Sequence, residues 1–485
     1  MSSLGRAIHT RLTTEPERIA LVVHAATSPV RLTAGELDRR ARQWAARLVA
    51  HRRVAIAADN GLPLAVALLG AIYAGVAVVP LYAGTPRADL LARLARFGID
   101  LVLSDRSLEL VPFGEGAAVA CWSLSAIMDD APLAEPVEVA PAAPQLLLQT
   151  SGTTGQPRAV VISAEALASH LMTLADGPHA VLGLGRTDRV LATLPLAHSF
   201  GCRMAFLAPL LAGAEVHVVT RFSAHATLEI LAAERITWAP VVPTMLSAWV
   251  AVEGAPPGAL AWVLSAGAPL PDALALEAEA RLGCDVRQGY GLTEASFSTL
   301  DAPPSPRALG TVGRPVPGVE VRLDPASGEV LVRGPNLMSG YLDEPEASAA
   351  AMPDGWLATG DLGTWEGESL RLVDRLKDII LRGGHTIHPA EVEAVLASHP
   401  QVAAAAVVGR PHPHLGEEVV AHVVPRPFET MDPVELTAWS SARLAAYKVP
   451  TSFFTEAELP LGPSGKVLKR ALRSRHRLPG SPPGK

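Results

Sequence analysis

Short, nearly uninterrupted apolar segments alternate with helical patterns along much of the chain, and this alternation constrains the fold more than any other feature. Five of these segments are residues 54–57, 76–81, 101–103, 146–149 and 190–193. Strands that are apolar on both faces are typical of parallel sheets covered by helices on both sides. Because the alternation reappears between about residues 190 and 290, a second sheet is expected. The sequence therefore predicts an α/β fold with two sheets of the parallel type.

The longest segment without a charged residue, 61–86, exceeds the roughly 20 residues that a membrane span requires. Two glycines and a proline divide it into a helical pattern over 63–74 and a strand pattern over 76–81. A helix packed on a buried parallel strand has this pattern. The sequence therefore predicts a buried helix and strand, and no membrane span.

The formal net charge of -7 argues against nucleic acid as a partner, because neutralising phosphates requires a basic face. Cys121, Cys202 and Cys284 are far apart and form no CxxC pair, so neither a disulfide scaffold nor a structural zinc site is expected. The N-terminus also lacks the continuous apolar core of a secretory signal. A cytoplasmic location is predicted.

Beyond about residue 319 the pattern changes. Segments 319–323 and 329–333 alternate apolar and polar residues, which indicates a small antiparallel β subdomain. The following segment contains a helix from Pro389 to before Pro400, strands near 402–408 and 419–424, and a helix before Tyr447. This content predicts a small α+β C-terminal domain over 375–485, after a large domain over 1–374.

A segment rich in hydroxyl groups follows the apolar strand 146–149. It reads Thr150-Ser151-Gly152-Thr153-Thr154-Gly155-Gln156-Pro157-Arg158. Glycines let backbone N–H groups approach an anion, and hydroxyls donate hydrogen bonds without adding bulk, so the segment is a candidate phosphate-binding loop. It lacks the GK[ST] ending of a Walker loop. The alternative is an ordinary turn.

A second candidate segment, Gly289-Tyr290-Gly291-Leu292-Thr293-Glu294, follows a strand pattern over 285–288. An aromatic ring that can stack on a base lies there beside a hydroxyl and a carboxylate. A carboxylate that faces a triphosphate needs a cation between them, so Glu294 is a candidate Mg²⁺ ligand. The alternative is a helix start with Thr293 as its cap.

Two further segments complete the set. Asp361 can accept hydrogen bonds from both ribose hydroxyls, and Arg375 can bridge phosphate and ribose. Lys466 lies on the small-residue loop Pro463-Ser464-Gly465 near the C-terminus. Taken alone, Lys466 is more simply one solvated lysine of a basic tail.

Together and in this order, the motifs resemble those of the adenylate-forming superfamily, which includes acyl-CoA synthetases, peptide-synthetase adenylation domains and firefly luciferase. The resemblance extends from about residue 15 to about residue 472. It implies a mobile C-terminal domain, and ATP, Mg²⁺ and a thiol as cofactor and co-substrates. It also implies two steps: ATP and a carboxylate give an acyl-adenylate and pyrophosphate, and the thiol then displaces AMP.

The resemblance also implies a role for each motif residue. The phosphate-binding positions are Thr150, Ser151, Gly152, Thr153, Thr154, Gly155, Arg158 and Thr293. The positions around adenine are Gly267, Ala268, Pro269, Gly289, Gly291 and the stacking residue Tyr290. Thr154 and Glu294 correspond to the Mg²⁺ ligands, and Asp361 and Arg375 to the ribose-binding pair. The arginine at position 158 replaces the family's usual lysine, which preserves the charge but not the geometry.

Lys466 corresponds to the lysine that bridges the substrate carboxylate and the α-phosphate. A cation between these two anions stabilises their transition state. Lys377 is at the hinge position, about which the C-terminal domain is implied to rotate between the two steps. Asp374 stands where the family frequently has glycine.

The segment 195–201 resembles the motif that opens the acyl-pocket helix. Its His198 and Ser199 stand where α-amino-acid-activating domains have an aspartate, so an α-amino acid is disfavoured. The remaining candidate pocket residues, which core packing explains equally simply, are Phe200, Met204, Gly289, Gly291 and Ala295. His198 is also a candidate catalytic residue that gates the pocket, or it satisfies a core hydrogen bond.

Arg203 is charged within an otherwise apolar segment. It is expected to reach the surface or to pair with a carboxylate. The alternative is that it recognises a polar or acidic tail of the substrate.

The substrate implied by the resemblance is a small carboxylic acid, and the expected acceptor is coenzyme A. The alternative acceptor is the phosphopantetheine of an acyl carrier protein. A different alternative for the whole chain is a non-catalytic nucleotide-binding relative. A homodimer is a family tendency that the sequence does not test.

Overall fold

The structure is a computed structural model that describes residues 3–25, 28–105, 120–124, 131–151, 157–177, 179–426, 429–462 and 467–476. Its α-helices are α1 (Leu4–Thr14), α2 (Ala34–Leu48), α3 (Leu62–Ala74), α4 (Arg87–Arg96), α5 (Ala164–Ala175), α6 (Ala208–Ala212), α7 (Ala224–Ala233), α8 (Pro243–Val250), α9 (Asp272–Leu282), α10 (Pro345–Ala351), α11 (Pro389–Ala397), α12 (Pro433–Ser441) and α13 (Lys469–Ser474). A π-helix, Gly201–Leu207, precedes α6.

The strands are β1 (Ile19–His24), β2 (Val30–Thr33), β3 (Arg53–Ala58), β4 (Ala77–Tyr82), β5 (Leu101–Leu103), β6 (Ala120–Trp122), β7 (Pro144–Ser151), β8 (Pro157–Ser163), β9 (Arg189–Ala192), β10 (Glu215–Val219), β11 (Trp238–Val241), β12 (Trp262–Ala266), β13 (Asp285–Leu292), β14 (Ser296–Leu300), β15 (Arg314–Pro315), β16 (Glu320–Leu323), β17 (Glu329–Arg333), β18 (Gly340–Tyr341), β19 (Leu357–Glu366), β20 (Ser369–Arg375), β21 (Ile380–Arg382), β22 (His385–Ile387), β23 (Val402–His412), β24 (Gly416–Pro425) and β25 (Ser452–Thr455).

Two large sheets form the first part of the chain. The nine-stranded sheet has the order β15-β14-β13-β12-β11-β9-β10-β1-β2, and its strands from β13 to β1 are parallel. The seven-stranded sheet has the order β18-β8-β7-β4-β3-β5-β6, parallel from β7 to β6. The predicted α/β fold with two sheets of the parallel type is confirmed. Antiparallel strands lie at three of the four sheet ends.

Two smaller sheets follow. The antiparallel sheet β16-β17-β19-β20 contains the ribbon that the sequence predicts, and the last sheet, β22-β21-β24-β23 with β25 beside β24, packs with α11 and α12. The predicted α+β content of the C-terminal part is therefore present. The division at residue 374 remains a prediction.

The sequence determines where helices α2 and α3 begin and which of their residues are buried. The capping box of α2 forms in both directions: the Glu36 N–H donates to the Thr33 hydroxyl (3.2 Å), and the Thr33 N–H donates to the Glu36 carboxylate (2.9 Å). All residues of α3 from Leu64 to Ala74 are buried in the protein core. Within the described residues, no helix has both the length and the apolar character needed to cross a membrane.

Candidate active site

The hairpin of β13 and β14 is the centre of the site. Strand β13 extends to Leu292 and turns back through Thr293 into β14, so the alternative of a helix starting at Thr293 is wrong. A Cβ atom on Gly291 would lie 1.9 Å from the Ser296 carbonyl oxygen, and the register of the two strands shifts at this point. Only glycine allows this close approach.

Asp361 is buried and accepts hydrogen bonds from two other residues of the site. The Tyr290 hydroxyl donates to Oδ2 of Asp361 (2.8 Å), and Nε of Arg375 donates to Oδ1 (2.6 Å). Burial and the negative charge of Asp361 raise the pKa of Tyr290 well above its ordinary value, so the phenol stays a donor. The structure thus brings together three residues that the sequence placed around adenine and ribose.

Glu294 forms a second cluster with a residue that the sequence analysis missed. The Tyr341 hydroxyl donates to Oε1 of Glu294 (3.2 Å), and the Arg158 guanidinium lies 5.1 Å from the centre of the Tyr341 ring. Burial and the charge of Glu294 raise the pKa of Tyr341. Tyr341 therefore joins the Mg²⁺ candidate to the end of the phosphate-binding loop. The only feature of the sequence that could have indicated Tyr341 is its position two residues before the acidic pair Asp343 and Glu344.

The candidate phosphate-binding loop is only partly described. Strands β7 and β8 pair Thr150 with Arg158, and Nε of Arg158 lies 2.9 Å from a Glu344 oxygen. The side chain of Ser151 and the candidate residues Gly152, Thr153, Thr154 and Gly155 lie outside the described residues, as does Lys466. Their roles remain predictions.

A cavity of about 50 Å³ adjoins the hairpin. Its lining residues are His198, Ser199, Phe200, Met204, Ala266, Gly267, Gly291, Leu292, Thr293, Ser296 and Phe297. The π-helix that begins at Gly201 places Phe200 and Met204 on this cavity. Five candidate pocket residues thus lie around one space.

Three other candidate pocket residues do not line this cavity. A Cβ atom on Gly289 would point at the Phe297 ring, 2.4 Å away, and Ala295 is completely buried. Arg203 is 2% exposed and does not reach the surface, as a snorkelling side chain would. Ala268 and Pro269, the remaining adenine candidates, follow directly after Gly267, which lines the cavity.

Arg203 does not have the ion pair expected of it. Its Nη2 donates to the Thr293 carbonyl (3.2 Å), its buried Nε has no hydrogen-bond partner, and no carboxylate among the described residues lies within 4.0 Å. Burial lowers its pKa to about 10. The neighbouring His170, on α5, is also buried with Nε2 unpartnered, and burial and the charge of Arg203 lower its pKa to about 3.

Asn60 holds the acyl-pocket motif in place. Its Nδ2 donates to the Leu194 carbonyl (2.9 Å), and its Oδ1 accepts from the Leu196 N–H (2.8 Å). A Cβ atom on Gly201 would lie 2.1 Å from the Pro195 carbonyl oxygen, so the loop and the π-helix are in close contact. Sequence reasoning missed Asn60, because the 134 residues that separate it from Leu194 show no common pattern.

The hinge candidate Lys377 is exposed in the 3₁₀ turn Leu376–Asp378. Partial burial of its amino group and the charge of Arg375 lower the pKa of Lys377. Just before this turn, Oδ2 of Asp374 accepts a hydrogen bond from the Ala390 N–H in the first turn of α11 (2.9 Å). Asp374 therefore connects β20 to the α+β part of the chain.

The fold, the two carboxylate-centred clusters and the adjoining small cavity are the features expected of a nucleotide-binding enzyme. The chain belongs to the AMP-binding enzyme family: the family model matches residues 8–342, and that of the AMP-binding enzyme C-terminal domain matches residues 391–466.

Named relatives specify the class. The chain is 35% identical to the sulfoacetate–CoA ligase of Cupriavidus necator over 88% of both chains. It is 32% identical to the 2-succinylbenzoate–CoA ligase of Bacillus subtilis over 94% of this chain and 95% of the relative. The expected class of acid–thiol ligase, including acyl- and aryl-CoA ligases, is confirmed by these relatives.

Solved structures agree over nearly the whole chain. ATP-bound MatB from Rhodopseudomonas palustris superimposes with a TM-score of 0.88 at 26% identity, over 98% of this chain and 99% of that one. The o-succinylbenzoate CoA synthetase of Bacillus subtilis, bound to its acyl-adenylate intermediate, gives 0.84 at 30% identity over the same shares.

Proposed function

We propose that this enzyme joins a small carboxylic acid to coenzyme A in two steps. The acid first attacks the α-phosphate of ATP to give acyl-AMP and pyrophosphate, and the thiol of coenzyme A then displaces AMP. One observation carries this proposal: consecutive residues of the β13–β14 hairpin serve three neighbouring subsites. Tyr290 bonds to Asp361, Gly291 to Thr293 line the cavity, and Glu294 bonds to Tyr341.

The residues present fit a magnesium ion at Glu294. Among the described residues, its carboxylate accepts one hydrogen bond, from Tyr341, and no lysine or arginine nitrogen lies within 4.0 Å. Hard carboxylate and hydroxyl oxygens are suitable ligands for Mg²⁺, so Glu294 and Thr154 would hold it. When bound, Mg²⁺ supplies positive charge to the triphosphate. Arg158 supplies a second positive charge at the end of the loop.

The role of Lys466 is the sharpest test. Replacing it by alanine removes the cation between carboxylate and α-phosphate, which we expect to lower the rate of adenylation by about 10²–10³-fold. The measurement is carboxylate-dependent exchange of pyrophosphate into ATP. Formation of the thioester from synthetic acyl-AMP and coenzyme A should be retained, because that step does not bring the two anions together.

Lys448→Ala is the control, since Lys448 pairs with Glu391 on the surface of the α+β part. Full exchange activity in Lys466→Ala would overturn the assignment. Loss of both half-reactions would instead indicate a folding defect, which circular dichroism would detect.

The acceptor is proposed to be coenzyme A rather than a carrier protein, because the relatives described above are CoA ligases by name. The decisive assay compares AMP release with coenzyme A and with a phosphopantetheinylated carrier protein. Faster release with the carrier protein would favour the alternative. A cytoplasmic location is part of the proposal, since all three cysteines are free thiols.

The acid is proposed to be small and to carry a second anionic group. A cavity of about 50 Å³ has room for a few water molecules, and hence for a short acyl chain. Arg203 does not line the cavity but is a buried positive charge behind its wall, where Nη2 donates to the carbonyl of the lining residue Thr293. Glu294 influences Arg203 electrostatically, but no carboxylate oxygen of the described residues lies within 4.0 Å of it. The names of the relatives, sulfoacetate–CoA and 2-succinylbenzoate–CoA ligase, likewise describe acids with a second acidic group.

Arg203→Met tests this proposal. The ratio of kcat/KM for a dicarboxylic acid to that for a monocarboxylic acid of equal length should fall by about tenfold or more, because a buried positive charge close to the second anionic group is lost. An unchanged ratio in a folded variant would end the idea. Pyrophosphate exchange with the monocarboxylic acid controls for damage to the nucleotide site.

A further inference from the structure

Two imidazole rings that the proposed reaction does not use meet on the nine-stranded sheet. His24 is the last residue of β1, and His217 lies on the neighbouring parallel strand β10, opposite Val22. Because alternate residues share a face, His24 and His217 are diagonal neighbours on one face. Nε2 of His24 lies 3.0 Å from Nδ1 of His217, and the rings are stacked with 5.3 Å between their centres.

A carboxylate completes a three-residue set. Glu234 directly follows α7, and one ligand atom from each of His24, His217 and Glu234 lies within 4.8 Å of the others. Two imidazole nitrogens and a carboxylate oxygen suit Zn²⁺ and similar transition metals better than Mg²⁺, which prefers oxygen ligands alone. In tetrahedral geometry, Zn–N bonds of about 2.0–2.1 Å set the two nitrogens about 3.3 Å apart, close to the observed separation.

The surroundings of His217 also fit a metal ligand. His217 is completely buried, and its Nε2 lies 3.0 Å from Oε1 of Glu215 without an aligned hydrogen bond. Histidines that bind metals usually direct their second ring nitrogen to a carboxylate, which fixes the tautomer and orients the ring. With its proton on Nε2, His217 presents the lone pair of Nδ1 toward His24.

Four charged side chains surround the set. Glu234 and Glu215 are negative, and Arg31 and Arg189 lie within 4.0 Å of one or both of these carboxylates. Arg31 donates to Oε1 of Glu234 (2.6 Å) and leaves Oε2 without a partner among the described residues. One oxygen of Glu234 is thus fixed by Arg31, and the other is available for a metal.

We propose that His24, His217 and Glu234 bind one divalent transition-metal ion of the Zn²⁺ type, with Glu215 orienting His217. The site is separate from the Mg²⁺ proposed at Glu294. An ion there would connect β1, β10 and the end of α7. The competing explanation of the 3.0 Å separation is a direct hydrogen bond between a protonated nitrogen of one ring and the lone pair of the other.

The test uses the full chain freed of metal with a chelator. Titration with Co²⁺ should give the visible absorption of a tetrahedral ion, saturating at one equivalent per chain, and Zn²⁺ should displace it and raise the melting temperature. His24→Gln and Glu234→Gln should weaken binding by more than the about 10- to 100-fold expected for Glu215→Gln, since they remove direct ligands.

The matched controls are His225→Gln and Glu229→Gln, an exposed pair on α7 whose side chains lie 3.4 Å apart. These variants should bind Co²⁺ as the original chain does. The proposal is overturned if Co²⁺ binding does not saturate, or if His24→Gln binds as tightly as His225→Gln. Pyrophosphate exchange in His24→Gln should remain intact, which distinguishes this test from failure of the proposed reaction.

Discussion

The nucleotide side and the acyl side of the site share the β13–β14 hairpin but differ in how their charges are compensated. On the nucleotide side, Asp361 accepts from both Tyr290 and Arg375, and Glu294 accepts from Tyr341. On the acyl side, Arg203 is buried without a carboxylate. The pair proposed to bind ribose, Asp361 and Arg375, is formed before ligands bind, whereas Glu294 and Arg203 have no ion-pair partner within 4.0 Å among the described residues.

The two sides are proposed to have different roles: the nucleotide side binds ATP in every turnover, and the acyl side selects the acid. Every turnover uses ATP, so a preformed network at the proposed ribose site would lower the entropy lost on binding. The acid differs between the named relatives, and under the proposal above the buried Arg203 would favour acids that carry a second anionic group. Three predictions test the comparison.

The largest effect is expected at Asp361. Asp361→Ala removes the acceptor of two hydrogen bonds, and a bond to a charged group contributes about 1.5–3 kcal/mol. We expect kcat/KM for ATP to fall by about 10²-fold or more, measured by pyrophosphate exchange at varied ATP concentration. Asp361→Asn, which keeps the shape, should lose less. A lowered melting temperature with unchanged kinetics for ATP would contradict a role in nucleotide binding.

A smaller effect is expected at Tyr341. Tyr341→Phe removes only the hydroxyl that donates to Glu294, so adenylation should slow by about tenfold and require more Mg²⁺. Tyr82→Phe is the matched control at an exposed tyrosine. If Mg²⁺ dependence is the same in both variants, Tyr341 does not orient Glu294.

The smallest effect at neutral pH concerns His170 on the acyl side. Its pKa is about 3 in the folded chain and about 6.5 in the unfolded chain. Below pH 6.5 only the unfolded chain takes up this proton, so the free energy of unfolding falls by up to about 1.4 kcal/mol per pH unit from this group until about pH 3.

Urea unfolding at pH 7.5, 6 and 5 measures this dependence. His170→Leu should flatten it, whereas the exposed His225→Gln should leave it unchanged. Equal slopes in the original chain and in His170→Leu would show that the acyl side tolerates a protonated His170. The contrast with the nucleotide side would then disappear.

The sequence predicted those parts of the site that consist of local motifs. The hairpin residues Tyr290 and Glu294, and the partners Asp361 and Arg375, were identified because each lies in a short segment whose chemistry suits a nucleotide. Their mutual hydrogen bonds were not predicted, since a spacing of 71 residues between Tyr290 and Asp361 carries no information on contact.

The failures have a common physical cause. Tyr341 and Asn60 act through contacts across the fold, and no local pattern marks them. Arg203 was expected to find water or a carboxylate, because an isolated buried charge is costly. The π-helix instead places it in the interior against a backbone carbonyl. Helical spacing also grouped Ala295 with the pocket, although Ala295 lies in the turn before β14, is completely buried and does not line the cavity.

The bond between Asp374 and Ala390 has a consequence for movement at Lys377. The N-cap residue of helix α11 is His388. Its side chain accepts no hydrogen bond from the first N–H groups of the helix. Asp374, on β20 of the preceding sheet, accepts a hydrogen bond from the Ala390 N–H and so caps α11. Such a cap contributes about 1 kcal/mol, or a bias of about fivefold in population. The rotation that the family resemblance implies at Lys377 would therefore break the hydrogen bond between Asp374 and Ala390, and this bond favours the present arrangement.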